Sequence, residues 1–218
     1  MNSYQNLVML QNLYRLKSLG FQYSDPMVIN QPTDEQLPSN LDALHAMVQN
    51  CHLCDLSKSR CQSMAGWGNP NADLMFVDTM VTMAEDESNQ FYSGRSGNSL
   101  MKMIENVIGL STDDVYFTHA VKCKPLGTNK PSSSEWNSCK PYLFKQIELV
   151  APKIVVTLGE DAYQLLSGDT TDFEQVRGQS INFGTFSIIP LYHPQYLLRN
   201  PSLKRETLND LKLIKSSL

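Results

Sequence analysis

Three of the five cysteines in the chain, Cys51, Cys54 and Cys61, lie within eleven residues, and Cys123 and Cys139 follow far downstream. Cysteine thiolates bind zinc ions and iron–sulfur clusters. Zinc sites usually contain two close pairs of cysteines, but only Cys51 and Cys54 form a C-x2-C pair here. Spacing alone therefore leaves two interpretations open, metal binding by four thiolates and buried free cysteines. Disulfides are the least expected state, because the cysteine count is odd and the chain is expected in the cytoplasm.

Alternating strand and helix patterns predict the scaffold that positions these residues. Short apolar, β-rich runs predict strands over 73–77, 115–121, 153–158 and 186–191. Helical spacing of apolar residues predicts helices over 98–108, 134–150, 161–166 and 203–218. This alternation predicts an α/β fold with a mostly parallel sheet covered by helices on both faces.

Open parallel sheets bind their ligands outside the carboxyl ends of the strands. We therefore expect the chemistry in the segments that follow Val77, Thr118, Leu158 and Leu191. His193 lies in the last of these segments, although an isolated histidine is more often structural.

Length and composition favour one main domain. The chain has 218 residues, of which 41% are apolar and 18% charged, enough for a single well-buried core. Residues 5–20 predict a helix and 24–40 a linker, and a second helix is expected to begin near Leu41. We therefore expect an N-terminal helix and linker over 1–40 and one domain over 41–218. No apolar run reaches the roughly 20 residues of a spanning helix, so we expect a soluble, cytoplasmic protein without a membrane partner.

Charge is unevenly distributed along the chain. The formal net charge of −4 excludes a protein whose whole surface binds nucleic acid. Residues 119–145 nevertheless carry five lysines against one acid, and residues 192–205 carry three basic residues and no acid. These segments either hold phosphates or are ordinary solvated surface.

Several motifs together resemble a known family. The segments DLMFV, FYSGRSG, VYFTHAVKCKP, PKIVVTLG, VRG and YHPQYLLR have the order and spacing seen in the family 4 uracil-DNA glycosylases, the iron–sulfur branch of that superfamily. The similarity runs from about Cys51 to the C-terminus. The resemblance implies a three-layer α/β/α sandwich with a short, mostly parallel central sheet, in agreement with the alternating pattern.

The resemblance also implies a cofactor. Cys51, Cys54, Cys123 and Cys139 match the four ligands of a 4Fe-4S cluster, whereas Cys61 matches no ligand position. Thiolates bind iron or zinc, and only the family match favours iron. Such a cluster would be structural and would order the basic segment between Cys123 and Cys139 against DNA.

Residues in two of these segments, FYSGRSG and YHPQYLLR, match the family's DNA-reading positions. Tyr92 stands where a phenylalanine stacks on uracil, and its ring retains a face for stacking. His193 matches the histidine that donates to uracil O2 and stabilises negative charge on the leaving base. Leu197 and Leu198 would belong to the loop that enters the duplex, and Arg199 would meet a backbone phosphate. Lys122 and Lys124 would lie along the DNA.

The segment after the first strand departs from the family pattern. Gly-Glu-Ala-Pro-Gly is replaced by Asp78-Thr79-Met80-Val81-Thr82, so the usual carboxylate, which positions water, is missing. Asp78 lies one residue early and is our candidate for the missing acid, with Thr79 beside the substrate. Glu85 and Asp86 retain the family's acidic pair. The plainer alternative for all three acids is a solvated loop.

His119 replaces an asparagine of the family. The amide fits the O4 and N3–H edge of uracil, whereas neutral imidazole offers one donor and one acceptor at other angles. His119 would therefore favour another base, trap the sugar cation, or serve as a structural histidine at a strand end.

Three functions follow from these observations. The first is a monomeric base-excision repair glycosylase that flips and hydrolytically releases uracil or another deaminated base from damaged double- or single-stranded DNA. The second is a catalytically impaired, glycosylase-derived DNA-binding module. The third is a zinc-stabilised interaction domain without a nucleic-acid role.

Overall fold

The computed structural model describes residues 37–127 and 130–218. The predicted helix over 5–20 and nearly all of the predicted linker lie outside the described residues, so the proposed division of the chain at residue 40 stays a prediction. Within the described ranges, no helix has the length and apolar character needed to cross a membrane.

Six strands and eight α-helices form the described part of the chain. The strands are β1 (Trp67–Gly68), β2 (Leu74–Met80), β3 (Tyr116–Val121), β4 (Ile154–Leu158), β5 (Ile181–Asn182) and β6 (Ser187–Leu191). The helices are α1 (Leu41–Gln49), α2 (Met83–Ser88), α3 (Gly94–Met103), α4 (Ser133–Val150), α5 (Glu160–Ser167), α6 (Phe173–Val176), α7 (Pro194–Arg199) and α8 (Lys204–Ser217). A π-helical turn (Ile104–Ile108) extends α3.

The strands form one sheet in the order β1-β3-β2-β4-β6-β5. The four inner strands are parallel, whereas β1 and β5 pair antiparallel at the two edges. The predicted mostly parallel sheet is therefore confirmed, and each of the four predicted strands corresponds to one of the inner strands.

Alternation along the inner strands divides the core into two layers, because successive side chains point to opposite faces of a sheet. Met75 and Val77 pack in a cluster with residues of α4, α5 and α6, while Leu74 and Phe76 pack with residues of α3 and α8. The sheet thus has helices on both faces, and the predicted α/β/α layering is confirmed.

Strand β2 is longer than predicted. Its ladder with β3 continues beyond Val77, pairing Asp78 with His119 and Met80 with Val121. Asp78 and Thr79 therefore lie at the end of a strand rather than in a loop, which fixes their backbone beside the neighbouring strand.

Candidate active site and cysteine cavity

A cavity of about 480 Å³ lies at the carboxyl ends of β2, β4 and β6. Its wall includes Asp78 and Thr79 from β2, Gly159 after β4 and His193 after β6. β3 lies on one side of β2 and β4 on the other, so the cavity is at the point where the strand order reverses, where open α/β sheets bind ligands. This is the location that the strand pattern predicted.

Asp78 and His193 form a hydrogen-bonded pair inside this cavity. The Nε2 atom of His193 lies 3.1 Å from Oδ2 of Asp78. The Nδ1 atom of His193 accepts the backbone N–H of Gln195 at 3.1 Å, as the N-cap of α7. Because Nδ1 is an acceptor, the proton of the neutral ring is on Nε2 and is donated to Asp78. Sequence reasoning named both residues, and the structure brings them together.

The surroundings of His193 favour its protonated form. Burial alone would lower the pKa of His193, but the charge and hydrogen bond of Asp78, with smaller effects of Glu85 and Asp161, raise it above its usual value. A carboxylate that stabilises an imidazolium will also stabilise other positive charge that develops beside it.

Five carboxyl groups lie in the cavity wall. They belong to Asp78, Glu160, Asp161, Asp172 and Glu174. Lys130 pairs with Asp161 at 2.6 Å, and the Tyr192 hydroxyl donates to Glu174 at 2.7 Å. Sequence reasoning missed these acids beyond Asp78, although Glu160 and Asp161 follow β4 in a segment where chemistry was expected.

Tyr92 and His119 lie outside the lining of the cavity. His119 is fully buried on β3, and Tyr92 is 7% exposed. Their rings are 6.0 Å apart and nearly parallel, and Phe91 covers His119 at 5.3 Å. The Tyr92 hydroxyl and both ring nitrogens of His119 are buried without a well-formed hydrogen bond. Their contact with a base therefore stays a prediction.

Tyr92 has a left-handed backbone conformation that few aromatic residues adopt, with φ of +53°. A Cβ atom at Gly97 would lie 1.5 Å from the carbonyl oxygen of Tyr92. Glycine in the FYSGRSG motif thus permits α3 to begin directly against this turn.

Glu85 joins the segments around Tyr92 and His119. Its Oε1 accepts the Tyr92 N–H at 2.7 Å, and its Oε2 accepts the N–H and hydroxyl of Thr82 at 2.9 and 2.8 Å. Oε2 is also 3.3 Å from Nε2 of His119, off the direction of a good hydrogen bond.

Burial alone would raise the pKa of Glu85, but the facing His119 and the N–H groups of Thr82 and Tyr92 lower it to about 2. Glu85 therefore remains ionised in the interior of the protein.

The plainer alternative for the acids, a solvated loop, is wrong. Asp78, Glu85 and Asp86 are 6%, 1% and 4% exposed. Asp86 accepts the backbone N–H groups of Cys61 and Gln62 at 3.0 and 3.2 Å. The T-x-x-E spacing of a capping box, present at Thr82 and Glu85, was the sequence signal for the structural part of this arrangement.

The four cysteines matched to a cluster line one small cavity. Cys51 and Cys54 reach it from the loop after α1, Cys123 from the end of β3 and Cys139 from α4. Cys61 is exposed and does not line it. Among the described residues, no three His, Cys, Asp or Glu side chains form a group compact enough for a single metal ion. Four sulfur donors from three separate segments therefore lie around one small cavity, and thiolates are the donors that hold iron–sulfur groups.

The prediction that Lys122 contacts DNA is wrong. Lys122 is 1% exposed, and its Nζ atom donates to the Oγ1 of Thr118 at 2.5 Å and to the Oε1 of Gln146. A buried ammonium group is costly unless its donors are hydrogen-bonded, and these two acceptors take two of its three N–H groups. Lys122 therefore belongs to a buried polar network.

The remaining predicted DNA contacts are on the surface with one exception. Lys124 is partly exposed, and Arg199 is exposed at the end of α7. Leu198 is 41% exposed, whereas Leu197 is 1% exposed and packs in the core. That the segment of Leu197 and Leu198 enters the duplex stays a prediction, with Leu197 holding the segment to the core. Tyr196, which sequence reasoning did not name, is 48% exposed and lines the cavity.

Fold and site together define a class of protein. A family model described as "Uracil DNA glycosylase superfamily" matches residues 65–212, and the chain belongs to this superfamily. It is 31% identical over 187 residues to the type-4 uracil-DNA glycosylase of Saccharolobus solfataricus, covering 82% of this chain and 87% of that protein. The type-4 enzymes of Sulfurisphaera tokodaii and Thermotoga maritima are each 32% identical, covering 81% of this chain and 84% and 93% of those proteins. The resemblance to family 4 that the motifs indicated is confirmed.

Proposed function

We propose that this chain is a DNA glycosylase of base-excision repair, which hydrolyses the N-glycosyl bond of uracil or another deaminated base. The observation that carries the proposal is the Asp78–His193 pair, 3.1 Å apart in a cavity at the carboxyl edge of the sheet. The names of its type-4 relatives support the same reaction.

Asp78 is the group that would activate water. Its Oδ1 accepts the Thr79 N–H at 2.6 Å and its Oδ2 faces His193, so the carboxylate is fixed while it lines the cavity. As the water oxygen bonds to C1′ of the sugar, Asp78 takes the water proton. The C1′–N bond breaks and its electron pair leaves with the base. The carboxylate also stabilises the positive charge that develops on the sugar.

His193 would stabilise the departing base. The N-cap contact with Gln195 keeps the proton of the neutral ring on Nε2, the atom that faces the cavity beside Asp78. When a base occupies the cavity, this N–H would exchange Asp78 for a carbonyl oxygen of the base, on which negative charge accumulates. Thr79 lines the same cavity. Contact of Tyr92 and His119 with the extruded base would require a movement of the segment around Tyr92.

We further propose that Cys51, Cys54, Cys123 and Cys139 hold a 4Fe-4S cluster. Bound there, the cluster would act as a structural brace between the loop after α1, the end of β3 and α4. The basic segment between Cys123 and Cys139 would then be presented to DNA, with Lys124 and Arg199 at phosphates. Reduced cysteines of this kind persist in the cytoplasm, where we propose that the protein acts as a monomer.

The test is base release from oligonucleotides that contain uracil, hypoxanthine or xanthine, followed by alkaline cleavage of the abasic strand. We expect cleavage with at least one substrate and a large loss in Asp78→Asn. Asp73→Asn is the matched control, because Asp73 lies just before the same strand, pairs with Lys153 on the surface and is remote from the cavity. Absence of cleavage with all three substrates would contradict the proposal.

A second candidate is a glycosylase-derived DNA-binding module without turnover. It is favoured by threonine at position 79, where the family has glutamate, and by the burial of Tyr92 and His119 away from the cavity. This candidate predicts salt-sensitive DNA binding without base release. Gain of base release in the double variant Thr79→Glu, His119→Asn would support it, and release by the natural chain would exclude it.

A further inference from the structure

Arg60 makes a direct contact with one of the four cysteines of the cavity. Its Nη1 atom donates to the Sγ of Cys123 at 2.9 Å. Its Nη2 atom donates to the backbone carbonyl oxygens of Cys51, at 2.7 Å, and Gln49, at 3.3 Å. One guanidinium therefore connects the loop that carries the first two cysteines to the end of β3, which carries the third.

The position of Arg60 gives its charge a specific role. Among the described residues that line the cysteine cavity, Arg60 and Lys122 are the two basic residues. The ammonium of Lys122 is engaged by Thr118 and Gln146, so Arg60 is the cation that donates a hydrogen bond to a ligand sulfur. Arginine is suited to this task because it stays charged and presents several donors in a fixed plane.

A donor at a ligand sulfur affects an iron–sulfur cluster in a defined direction. Four thiolates give the cluster a net negative charge, and reduction adds one more electron. A positive N–H donor at the sulfur stabilises the reduced form more than the oxidised form, which raises the reduction potential. The same donor fixes the orientation of the cysteine side chain before the metal is bound.

We propose that Arg60 is a positioning residue for this metal centre, which orients Cys123 against the C-x2-C loop and raises the reduction potential of the cluster. The inference rests on the proposed function, of which the cluster is a part. It concerns a contact outside the four ligands and predicts a property of the cluster that base release does not report.

The experiment compares the natural chain with Arg60→Met and Arg60→Lys, all purified without oxygen. Lys58→Met is the matched control, because Lys58 lies on the same loop and is exposed, paired only with Asp55. The measurements are the midpoint potential in a redox titration followed by electron paramagnetic resonance, the iron content, and the rate at which visible absorbance is lost in air. We expect a more negative midpoint potential and a several-fold faster loss of the cluster in Arg60→Met, a smaller change in Arg60→Lys, and none in the control.

An Arg60→Met protein with the potential and cluster lifetime of the natural chain would overturn the proposal. If this variant does not fold, Arg60→Gln replaces it, since glutamine retains N–H donors without the charge: a more negative potential supports the role and an unchanged one overturns it. If the natural chain does not bind iron, the proposal of a cluster is wrong, and so is the proposed role of Arg60. A natural chain with iron whose potential does not respond to Arg60 overturns the role alone and leaves the glycosylase proposal standing.

Discussion

Replacing Glu85 by glutamine should destabilise the protein by about 2–3 kcal/mol at neutral pH. The carboxylate accepts from Tyr92 through one oxygen and from Thr82 through the other. A glutamine of the same shape has one oxygen and one NH2 group, so at least one buried backbone N–H would face another donor.

Two arguments, which share the hydrogen bonds from Thr82 and Tyr92, give this magnitude. A buried donor that loses its acceptor costs about 1–3 kcal/mol. The pKa of Glu85 falls from 4.5 to about 2 in the folded protein, and one pKa unit corresponds to about 1.4 kcal/mol. The ionised carboxylate therefore contributes about 3 kcal/mol through its interactions. Because Glu85 is only 1% exposed, solvent screening reduces this value little.

Urea unfolding of the natural chain and Glu85→Gln measures the difference, provided that the m-values agree. Glu87→Gln is the matched control, since Glu87 is exposed on the same helix, α2. A depressed carboxyl pKa gives stabilisation that is complete above the unfolded value of 4.5 and is lost as the pH falls toward the folded value of about 2. The difference between the two proteins should therefore narrow over that range of pH.

A loss below about 0.5 kcal/mol, the size typical of surface substitutions, would refute the reasoning. So would a difference that does not narrow on acidification, because the destabilisation would then come from something other than the charge of Glu85.

Three further outcomes follow from the structure. Asp78→Asn should lower the pKa of His193, since burial then acts without the opposing charge of Asp78. If an NMR titration gives the same His193 pKa in the variant and the natural chain, the Asp78–His193 interaction is contradicted. Lys124→Ala should reduce the salt dependence of DNA binding by about one counterion, whereas Lys122→Ala should leave that slope unchanged and lower the stability to urea instead. Cys139→Ser should reduce the iron bound per chain, and an unchanged iron content would show that the ligand set is wrong.

The fold could be read from the sequence because apolar alternation decides it. Leu74 and Phe76 pack on one face of the sheet, Met75 and Val77 on the other, as a short apolar run predicts for a strand covered on both faces. The extension of β2 to Met80 could not be read in the same way. Asp78 and Thr79 are polar, and they continue the strand because β3 offers backbone partners to that length.

The site was predictable in part. The predicted strands place the chemistry at the carboxyl ends of β2, β4 and β6, where Asp78 and His193 lie. The burial of Lys122 could not be predicted, because its hydrogen-bond acceptors lie on β3 and α4. From the sequence alone, a lysine is expected to be a charged surface residue. The meeting of four cysteines came from resemblance, since no spacing rule joins residues on segments so far apart.

The two edge strands of the sheet affect how copies of the protein can associate. β1 and β5 contain two residues each and run against their neighbours. A strand of a second copy could form only a few backbone hydrogen bonds at these edges, because short edge strands expose few unpaired N–H and C=O groups. Concentrated solutions should therefore resist association by the addition of strands at β1 and β5.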